Sequence, residues 1–155
     1  MAVQPRLLKA GPLCSKAFQG GIWKDWHYAG LMKPGKPSVT TATTILPRYR
    51  MYRQGEIVLG PGKAELLALV AETGSISEAA RCMGMSYNRA WLHIKVMNEG
   101  FAEPLVLSSR GGSTGGGALL TPMGEKVVAL WKKMELEAEA ATKKLRANLV
   151  KLLAK

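Results

Sequence analysis

Residues 75–97, SISEAARCMGMSYNRAWLHIKVM, have the layout of a helix-turn-helix. A short first helix carries the adjacent small residues Ala79 and Ala80, which allow two helices to cross closely. Gly84 supplies a residue that tolerates the left-handed backbone of the turn. Ser86 can then cap a second helix by accepting a hydrogen bond from its first free N–H groups. Because the second helix of this motif enters the major groove of DNA, the stretch predicts a DNA-binding protein.

The second motif helix is predicted to run from about residue 86 to residue 99. Its apolar residues recur at spacings of four, three and four, which places one stripe against the core: Ala90, Ile94, Met97 and Phe101. Trp91 lies at the edge of that stripe, where we expect a core or partly buried position, and Tyr87 is open between core and DNA. The residues off the stripe are expected to face DNA: Asn88, Arg89, Leu92 and Lys95.

The motif lies inside a predicted domain of residues 48–121. Residues 48–59, RYRMYRQGEIVL, have two apolar stretches around the turn residues Gln54–Gly55, which predicts a β-hairpin. Its three arginines are open between a phosphate contact and a solvated strand face. The next helix, predicted at about residues 63–73, has an apolar face and ends at Gly74.

A predicted wing follows the second motif helix. Residues 104–110, PLVLSSR, and residues 118–121 form two short strands around a glycine loop. Arginine, hydroxyl and free backbone N–H groups in such a loop suit the DNA backbone or the adjacent minor groove. The alternative is a flexible hairpin that touches no DNA. The candidate contacts are Arg110, Ser113 and Thr114.

Residues 122–155 are predicted to be a long helix that begins at Pro122 with Thr121 as its cap. Apolar and small residues recur along it at the spacings of a coiled-coil seam. One small domain cannot bury so long a seam, so we expect a second copy of the chain as partner, unless the helix frays beyond about Glu139. The predicted dimer interface consists of Trp131, Met134, Ala138, Ala141, Leu145, Leu149 and Leu152.

The formal net charge of +11 favours a polyanionic partner without separating DNA, RNA and acidic membrane. Residues 1–47 contribute +5 and form an irregular basic extension with an aromatic patch at Trp23, Trp26 and Tyr28. Three interpretations stay open for this extension. It is a mobile tail, an arm that grasps DNA or a partner, or a segment upstream of a biological start such as Met32.

The sequence offers no support for an enzyme, a metal site or a membrane protein. The sequence has no paired carboxylates, no nucleophile beside a base and no Cys/His cluster. We therefore expect no catalytic residue, metal or cofactor. No apolar run is long enough to cross a bilayer. Cys14 and Cys82 are expected to stay unpaired, with Cys82 packed as a small buried thiol. Together these features favour a cytoplasmic protein.

Residues 76–124 resemble the N-terminal winged helix of LysR-type regulators. The matching residues are Ala79–Ala80, Met83, Ser86, Ile94, Met97, Pro104–Leu105 and the Leu120-Thr121-x-x-Gly124 signature. A closer resemblance is to the molybdate-responsive ModE-type branch. It is carried by GSIS at 74–77, the Ser86-Tyr87-x-x-Ala90-Trp91 stretch, Asn98, EPLV at 103–106 and the glycine wing that ends at Thr121.

This resemblance implies a domain that dimerises through its long helix and binds operator DNA. Ser86 and Tyr87 match DNA-facing positions of the family, whereas Asn88 and Arg89 occupy variable positions. Full-length members carry C-terminal oxyanion-binding domains. We expect that part to be absent from a chain of 155 residues, so molybdate or another oxyanion is possible but not supported as a ligand.

The sequence therefore predicts a mainly α fold with small β elements (α+β), a winged helix-turn-helix with an N-terminal hairpin and a long C-terminal helix. The favoured function is a homodimeric, sequence-specific regulator of transcription that binds double-stranded DNA and has a possible link to molybdenum. The alternatives are a protein-interaction module on the same scaffold and a small-oxyanion sensor. The predicted DNA-binding residues are Ser75, Ser77, Ser86, Tyr87, Asn88, Arg89, Lys95, Arg110, Ser113 and Thr114.

Overall fold

The computed structural model describes residue 45, residues 47–109 and residues 117–153. The predicted fold class is confirmed, since four helices accompany two small antiparallel sheets in these ranges. The predicted contacts Arg110, Ser113 and Thr114 and nearly all of the N-terminal extension lie outside the described residues. In chain order the elements are β1 (Met51–Arg53), β2 (Glu56–Leu59), α1 (Pro61–Thr73), α2 (Ile76–Cys82), α3 (Tyr87–Gly100), β3 (Val106–Ser108), β4 (Ala118–Leu120) and α4 (Pro122–Lys151).

Side-chain caps determine where three of the helices begin. Ser75, Ser86 and Thr121 precede α2, α3 and α4, and each hydroxyl accepts a hydrogen bond from the backbone N–H three residues later, at 3.0–3.3 Å. Each bond satisfies a donor that has no partner within its helix, and the caps at Ser86 and Thr121 confirm the sequence analysis. Helix α1 starts at Pro61, two residues before its predicted start, because proline suits the first helical position.

The turns also follow the predicted glycines. Gly74 ends α1 and Gly84 lies between α2 and α3, each with a φ of 64°. In the hairpin, Gln54 and Gly55 both have positive φ, 51° and 83°, as a tight two-residue turn requires. Strands β1 and β2 pair antiparallel around this turn, as predicted.

The wing strands are shorter than their predicted ranges. Strand β3 begins at Val106 rather than at Pro104, because proline has no N–H to give to the ladder. The N–H of Leu105 donates instead to Oδ1 of Asn98 in α3, at 2.8 Å. Strands β3 and β4 pair antiparallel, with Leu107 opposite Leu119.

Helix α1 lies at the centre of the core. Its side chains Leu66, Leu67 and Val70 are fully buried, and it packs against α2, α3, α4 and β4. Because α1 is apolar on nearly every side, other elements must cover it on nearly every side. Ala79 in α2 and Ala90 in α3 are also fully buried, as the close crossing of the two motif helices requires.

Cys82 departs from the sequence analysis. The residue is buried at the end of α2, as predicted, but the structure gives it as disulfide-bonded rather than as a free thiol. The expectation of two unpaired cysteines is therefore wrong. The chain has one other cysteine, Cys14, which lies outside the described residues. Cysteine usage consequently gives no support to the predicted cytoplasmic location.

Gly124, in the first turn of α4, lies against the wing. A Cβ at this position would be 2.2 Å from the carbonyl oxygen of Leu105, a distance that no rotamer change relieves because both groups are backbone. The glycine of the signature at residues 120–124 is therefore required by the close approach of α4 to the segment before β3.

Replacing Gly124 with alanine tests this close approach. We expect Gly124→Ala to lower the free energy of unfolding by about 3 kcal/mol or more, because two backbone segments must move apart. Gly62→Ala is the matched control, since Gly62 lies in the first turn of α1 with open space around it, and alanine there should stabilise by about 0.5–1 kcal/mol. Urea denaturation measures both, and equal effects would contradict the packing argument.

Candidate nucleic-acid interface

Helix α3 separates a core face from a solvent face. Ala90, Ile94 and Met97 are buried in the core, as their spacing predicts. The residues predicted to face DNA are all exposed on the other side: Asn88, Arg89, Leu92 and Lys95. Tyr87, which the sequence left open, is also exposed. The structure thus places the residues that were predicted to face DNA together on the accessible half of α3.

Trp91 is not in or near the core. Its side chain is 46 % exposed, so the prediction of a core or partly buried position is wrong. Trp91 follows Ala90, and one helical residue rotates the side chain by about 100°, which is enough to move it from the buried stripe to the surface. The ammonium of Lys95, one turn further along, lies 6.0 Å from the centre of the indole ring. Trp91 and Lys95 therefore form one cationic and aromatic surface.

The N-terminus of α3 carries a free donor as well as a cap. The hydroxyl oxygen of Ser86 accepts the N–H of Arg89 at 3.3 Å, which leaves the hydroxyl hydrogen available for a phosphate oxygen. Ser75 caps α2 in the same way and is half-buried, whereas Ser77 is exposed on the first turn of α2. The DNA-contact roles of these serines stay predictions.

The C-terminus of α3 is fixed by the hairpin. The guanidinium of Arg53 donates to the carbonyl of Gly100 at 2.7 Å and to that of Glu99 at 3.4 Å. Arginine at a helix C-terminus satisfies carbonyls that lack a helical partner and favours the negative end of the helix dipole. Arg53 therefore orients α3. This role of Arg53 is neither the phosphate contact nor the solvated position expected from the sequence, and no local pattern indicates a partner 46 residues away.

Asn98 attaches the wing to α3. Its Nδ2 donates to the carbonyl of Val106 at 2.9 Å, and its Oδ1 accepts the N–H groups of Leu105 and Val106 at 2.8 and 3.1 Å. One amide thus satisfies three backbone groups of the strand that follows α3. The sequence analysis quoted Asn98 as a feature of the resemblance but gave it no role.

His93 of α3 and the nearby Lys63 both have pKa values below their usual range. Burial lowers the pKa of His93, and the charges of Lys63 and Arg89 lower it further. Burial also lowers the pKa of Lys63, whose ammonium donates to the carbonyl of Ile57. His93 is consequently neutral in the folded protein at neutral pH, and the cationic surface of α3 comes from Arg89 and Lys95.

The predicted dimer seam on α4 begins inside the core. Trp131 is only 4 % exposed, and its indole N–H donates to Glu135 at 2.9 Å. Its side chain therefore packs within its own chain and offers little surface to a second copy. Ala138 is half-buried, and the remaining seam residues are exposed: Met134, Ala141, Leu145, Leu149 and Leu152.

A groove that the sequence analysis missed lies on another side of α4. It has a volume of about 570 Å³ and is lined by the end of α1, by β4 and by the first half of α4. Its apolar lining comes from Ala71, Leu120, Val128, Ala129 and Leu136, and charged side chains of α4 border it. No periodic pattern in one helix could indicate it, because three separate elements contribute.

Within residues 47–109 and 117–153, no three His, Cys, Asp or Glu side chains come together in a group that could hold a metal ion. None of the helices in these ranges combines the length and the apolar composition that a membrane crossing requires.

The helical core of this site matches a known family. Residues 62–125, from the first turn of α1 to the first turn of α4, match the model of the bacterial regulatory helix-turn-helix proteins of the LysR family. We call residues 62–125 the LysR-type domain, after the family whose model they match. The resemblance seen in the sequence is confirmed, and the LysR-type domain contains all of α3 and the wing strands.

Homologous proteins carry the ModE and Mop names. The molybdenum-pterin-binding protein MopB of Rhodobacter capsulatus is 47 % identical over 77 residues, which are 50 % of this chain and 28 % of that protein. The molybdenum transport protein ModE of Azotobacter vinelandii is 36 % identical over 109 residues, 70 % of this chain and 40 % of that protein. The DNA-binding transcriptional dual regulator ModE of Escherichia coli K12 is 38 % identical over 78 residues, 50 % of this chain and 30 % of that protein.

The chain spans less than half the length of each of these relatives. The similarity therefore concerns only a part of each relative. The Escherichia coli relative is named as a regulator of transcription and not as an enzyme.

Glu72, at the end of α1 in the LysR-type domain, gives stability an unusual pH dependence. Its two carboxylate oxygens are shielded from solvent and have no hydrogen-bond partner among the described residues. Burial raises the pKa of Glu72 from 4.5 to about 7. Between these values the folded protein keeps a proton that the unfolded chain has lost, so this contribution to stability is complete below pH 4.5 and is lost as the pH rises through 7.

Glu72→Gln should remove that pH dependence. We expect the variant to be more stable than the original protein at pH 8, by on the order of 1–2 kcal/mol after allowance for partial exposure, and to differ little at pH 5. Urea denaturation at the two pH values measures the difference. Glu103→Gln, which changes an exposed carboxylate, is the control and should show no such contrast. A gain for Glu72→Gln that is equal at both pH values would contradict the burial argument.

Proposed function

We propose that this chain is a sequence-specific DNA-binding regulator of transcription that acts as a homodimer in the cytoplasm. The observation that carries the proposal is the exposed N-terminal half of α3 within a LysR-type domain, with Tyr87, Asn88 and Arg89 all accessible beside the Ser86 cap. The names of the relatives, two of which mention molybdenum and one of which mentions regulation of transcription, support a role in molybdenum metabolism.

In the proposed complex, α3 enters the major groove with its N-terminus first. Ser86 and Lys95 bind phosphates, and Arg110, Ser113 and Thr114 of the wing loop add further backbone contacts. Asn88 and Arg89 contact base edges, because asparagine matches adenine and arginine matches guanine in bidentate geometry. These contacts need only protein groups, so the proposal assigns no cofactor and no catalytic activity to the chain.

The first experiment is selection from a randomised duplex pool, followed by titration of selected and random DNA at several salt concentrations. We expect a near-palindromic operator with half-sites about one helical turn apart, bound about 10³-fold or more tightly than random DNA. Weak binding that enriches no sequence and collapses with salt would overturn the proposal. A protein-interaction module on the same scaffold would then be the better explanation.

Arg89→Ala tests whether α3 recognises sequence. We expect a loss of roughly 1–3 kcal/mol of binding free energy on the selected operator and little change on random DNA, because a base contact counts only at its matching base. Arg50→Ala, which removes an exposed arginine of the segment before β1, is the control and should affect operator and random DNA alike. An equal loss on both DNAs for Arg89→Ala would mean that Arg89 contacts phosphate alone.

The dimer part of the proposal rests on the seam of α4 beyond Trp131. Helix α4 has 30 residues and so extends about 45 Å, further than one small domain covers. Its later seam residues present leucines to solvent, at spacings of three and four, that a second α4 would bury. Ala138 and Ala141 permit two helices to approach closely at the middle of the seam.

Leu149→Glu should separate the proposed dimer into monomers, because a carboxylate would have to be buried in the seam. Leu136→Glu is the control, because Leu136 is an exposed leucine of the same helix, 47 % against 56 %, that lies about 140° or more around α4 from every seam residue, so it should stay dimeric. Analytical ultracentrifugation measures both variants. Dimers that persist in Leu149→Glu would show that another surface, such as the groove beside α1, forms the interface.

A further inference from the structure

Leu92 is an apolar side chain on the exposed face of α3, and the proposed DNA contacts give it no role. It is 54 % exposed and lies outside the core stripe of Ala90, Ile94 and Met97. A single exposed leucine is ordinary on a protein surface. The position of Leu92 indicates a role, because residues three and four apart on a helix are surface neighbours. Leu92 is four residues after Asn88 and three after Arg89, so it shares a surface with both proposed base-contacting side chains.

The chemistry of the major groove limits what a leucine can contact there. Base edges present hydrogen-bond donors and acceptors, and the apolar group among them is the C5-methyl of thymine. A leucine pressed against polar edges would lose water and gain nothing, whereas against a methyl group it buries apolar surface. Asn88 and Arg89 therefore suit the polar groups of the base edges, and Leu92 suits the methyl group of thymine.

We infer that Leu92 recognises a thymine methyl group in each half-site of the operator. The inference rests on the proposed function, since it needs α3 to lie in the major groove. Residues 88 and 92 are about 6 Å apart along the helix axis, at ~1.5 Å per residue. The thymine consequently lies within about two base pairs of the base that Asn88 contacts, since base pairs rise by about 3.4 Å.

Trp91 does not compete with Leu92 for this role. The two side chains differ by about 100° around the helix. Trp91 is on the side of Lys95, whose ammonium lies 6.0 Å from its ring centre. A paired ammonium and indole suits a phosphate and the adjacent sugar, where positive charge is favourable. Leu92 is within about 60° of both Asn88 and Arg89 around the helix, whereas Trp91 is about 160° from Arg89.

Deoxyuridine substitution tests the inference, because it removes only the C5-methyl of a thymine and keeps every hydrogen-bonding group. In the selected operator, each thymine is replaced by deoxyuridine at symmetric positions of both half-sites, and the dissociation constant of the full chain is measured. We expect one position at which binding weakens by about fourfold per half-site, the fold-change for one buried methyl at ~0.8 kcal/mol. Leu92→Ala should bind the thymine and deoxyuridine operators equally.

Leu130→Ala removes a leucine of similar exposure, 57 %, from α4 and should keep the full methyl effect. Because Leu92 is exposed, Leu92→Ala should unfold at the same urea concentration as the original protein, which separates recognition from folding. An operator insensitive to deoxyuridine at every position, or a methyl effect that persists in Leu92→Ala, would overturn the inference while the proposed function stands. Failure to select any operator would instead overturn the proposed function.

Discussion

The backbone of Leu105 is the junction on which the domain depends. Its N–H donates to Asn98 of α3, and its carbonyl accepts the N–H of Thr121 at 2.9 Å. Its side chain has no exposed surface, and Gly124 packs directly against its carbonyl oxygen. One residue thus joins α3, the wing and the start of α4. Because these contacts are close and involve the backbone of Leu105, they hold α3, the wing and α4 at fixed angles to one another.

This junction explains how α3 is presented to a partner. The C-terminal half of the helix is attached at two points, by Arg53 of the hairpin and by Asn98 beside the wing. The N-terminal half is stabilised by its own cap at Ser86 and touches the rest of the domain mainly through Ala90 and Ile94. The C-terminal half of α3 is therefore held in place and its N-terminal half is accessible, which is the arrangement that insertion into a groove requires.

Local signals in the sequence were sufficient for the elements themselves. Caps such as Ser86, turn residues such as Gly84 and the core stripe through Ala90 all depend on neighbours within a few residues, and the structure confirms them. Trp91 was misplaced because periodicity alone does not resolve a residue at the edge of a stripe, where about 100° of rotation separates core from solvent.

Contacts between distant segments were beyond such reasoning. Arg53 reaches α3 across 46 residues, and the groove beside α1 needs three elements at once. The pairing of Cys82 was also missed, because spacing in the sequence does not report spatial distance. For the candidate site, the sequence was enough to predict which face of α3 is exposed. It gave no indication of how the C-terminal half of that helix is attached.

Helix α4 connects the proposed DNA-binding surface to the proposed dimer interface through a single continuous stripe. Its first part, through Val127 and Trp131, is buried in its own domain, and the same stripe then leaves the domain and becomes exposed. Since an α-helix is stiff over this length, the direction of the exposed part is determined by the buried part and by the Gly124 contact with Leu105. In a dimer formed along that stripe, the spacing of the two α3 helices would follow from the junction at Leu105. A change at the junction would consequently alter the preferred distance between half-sites without touching any residue that contacts DNA.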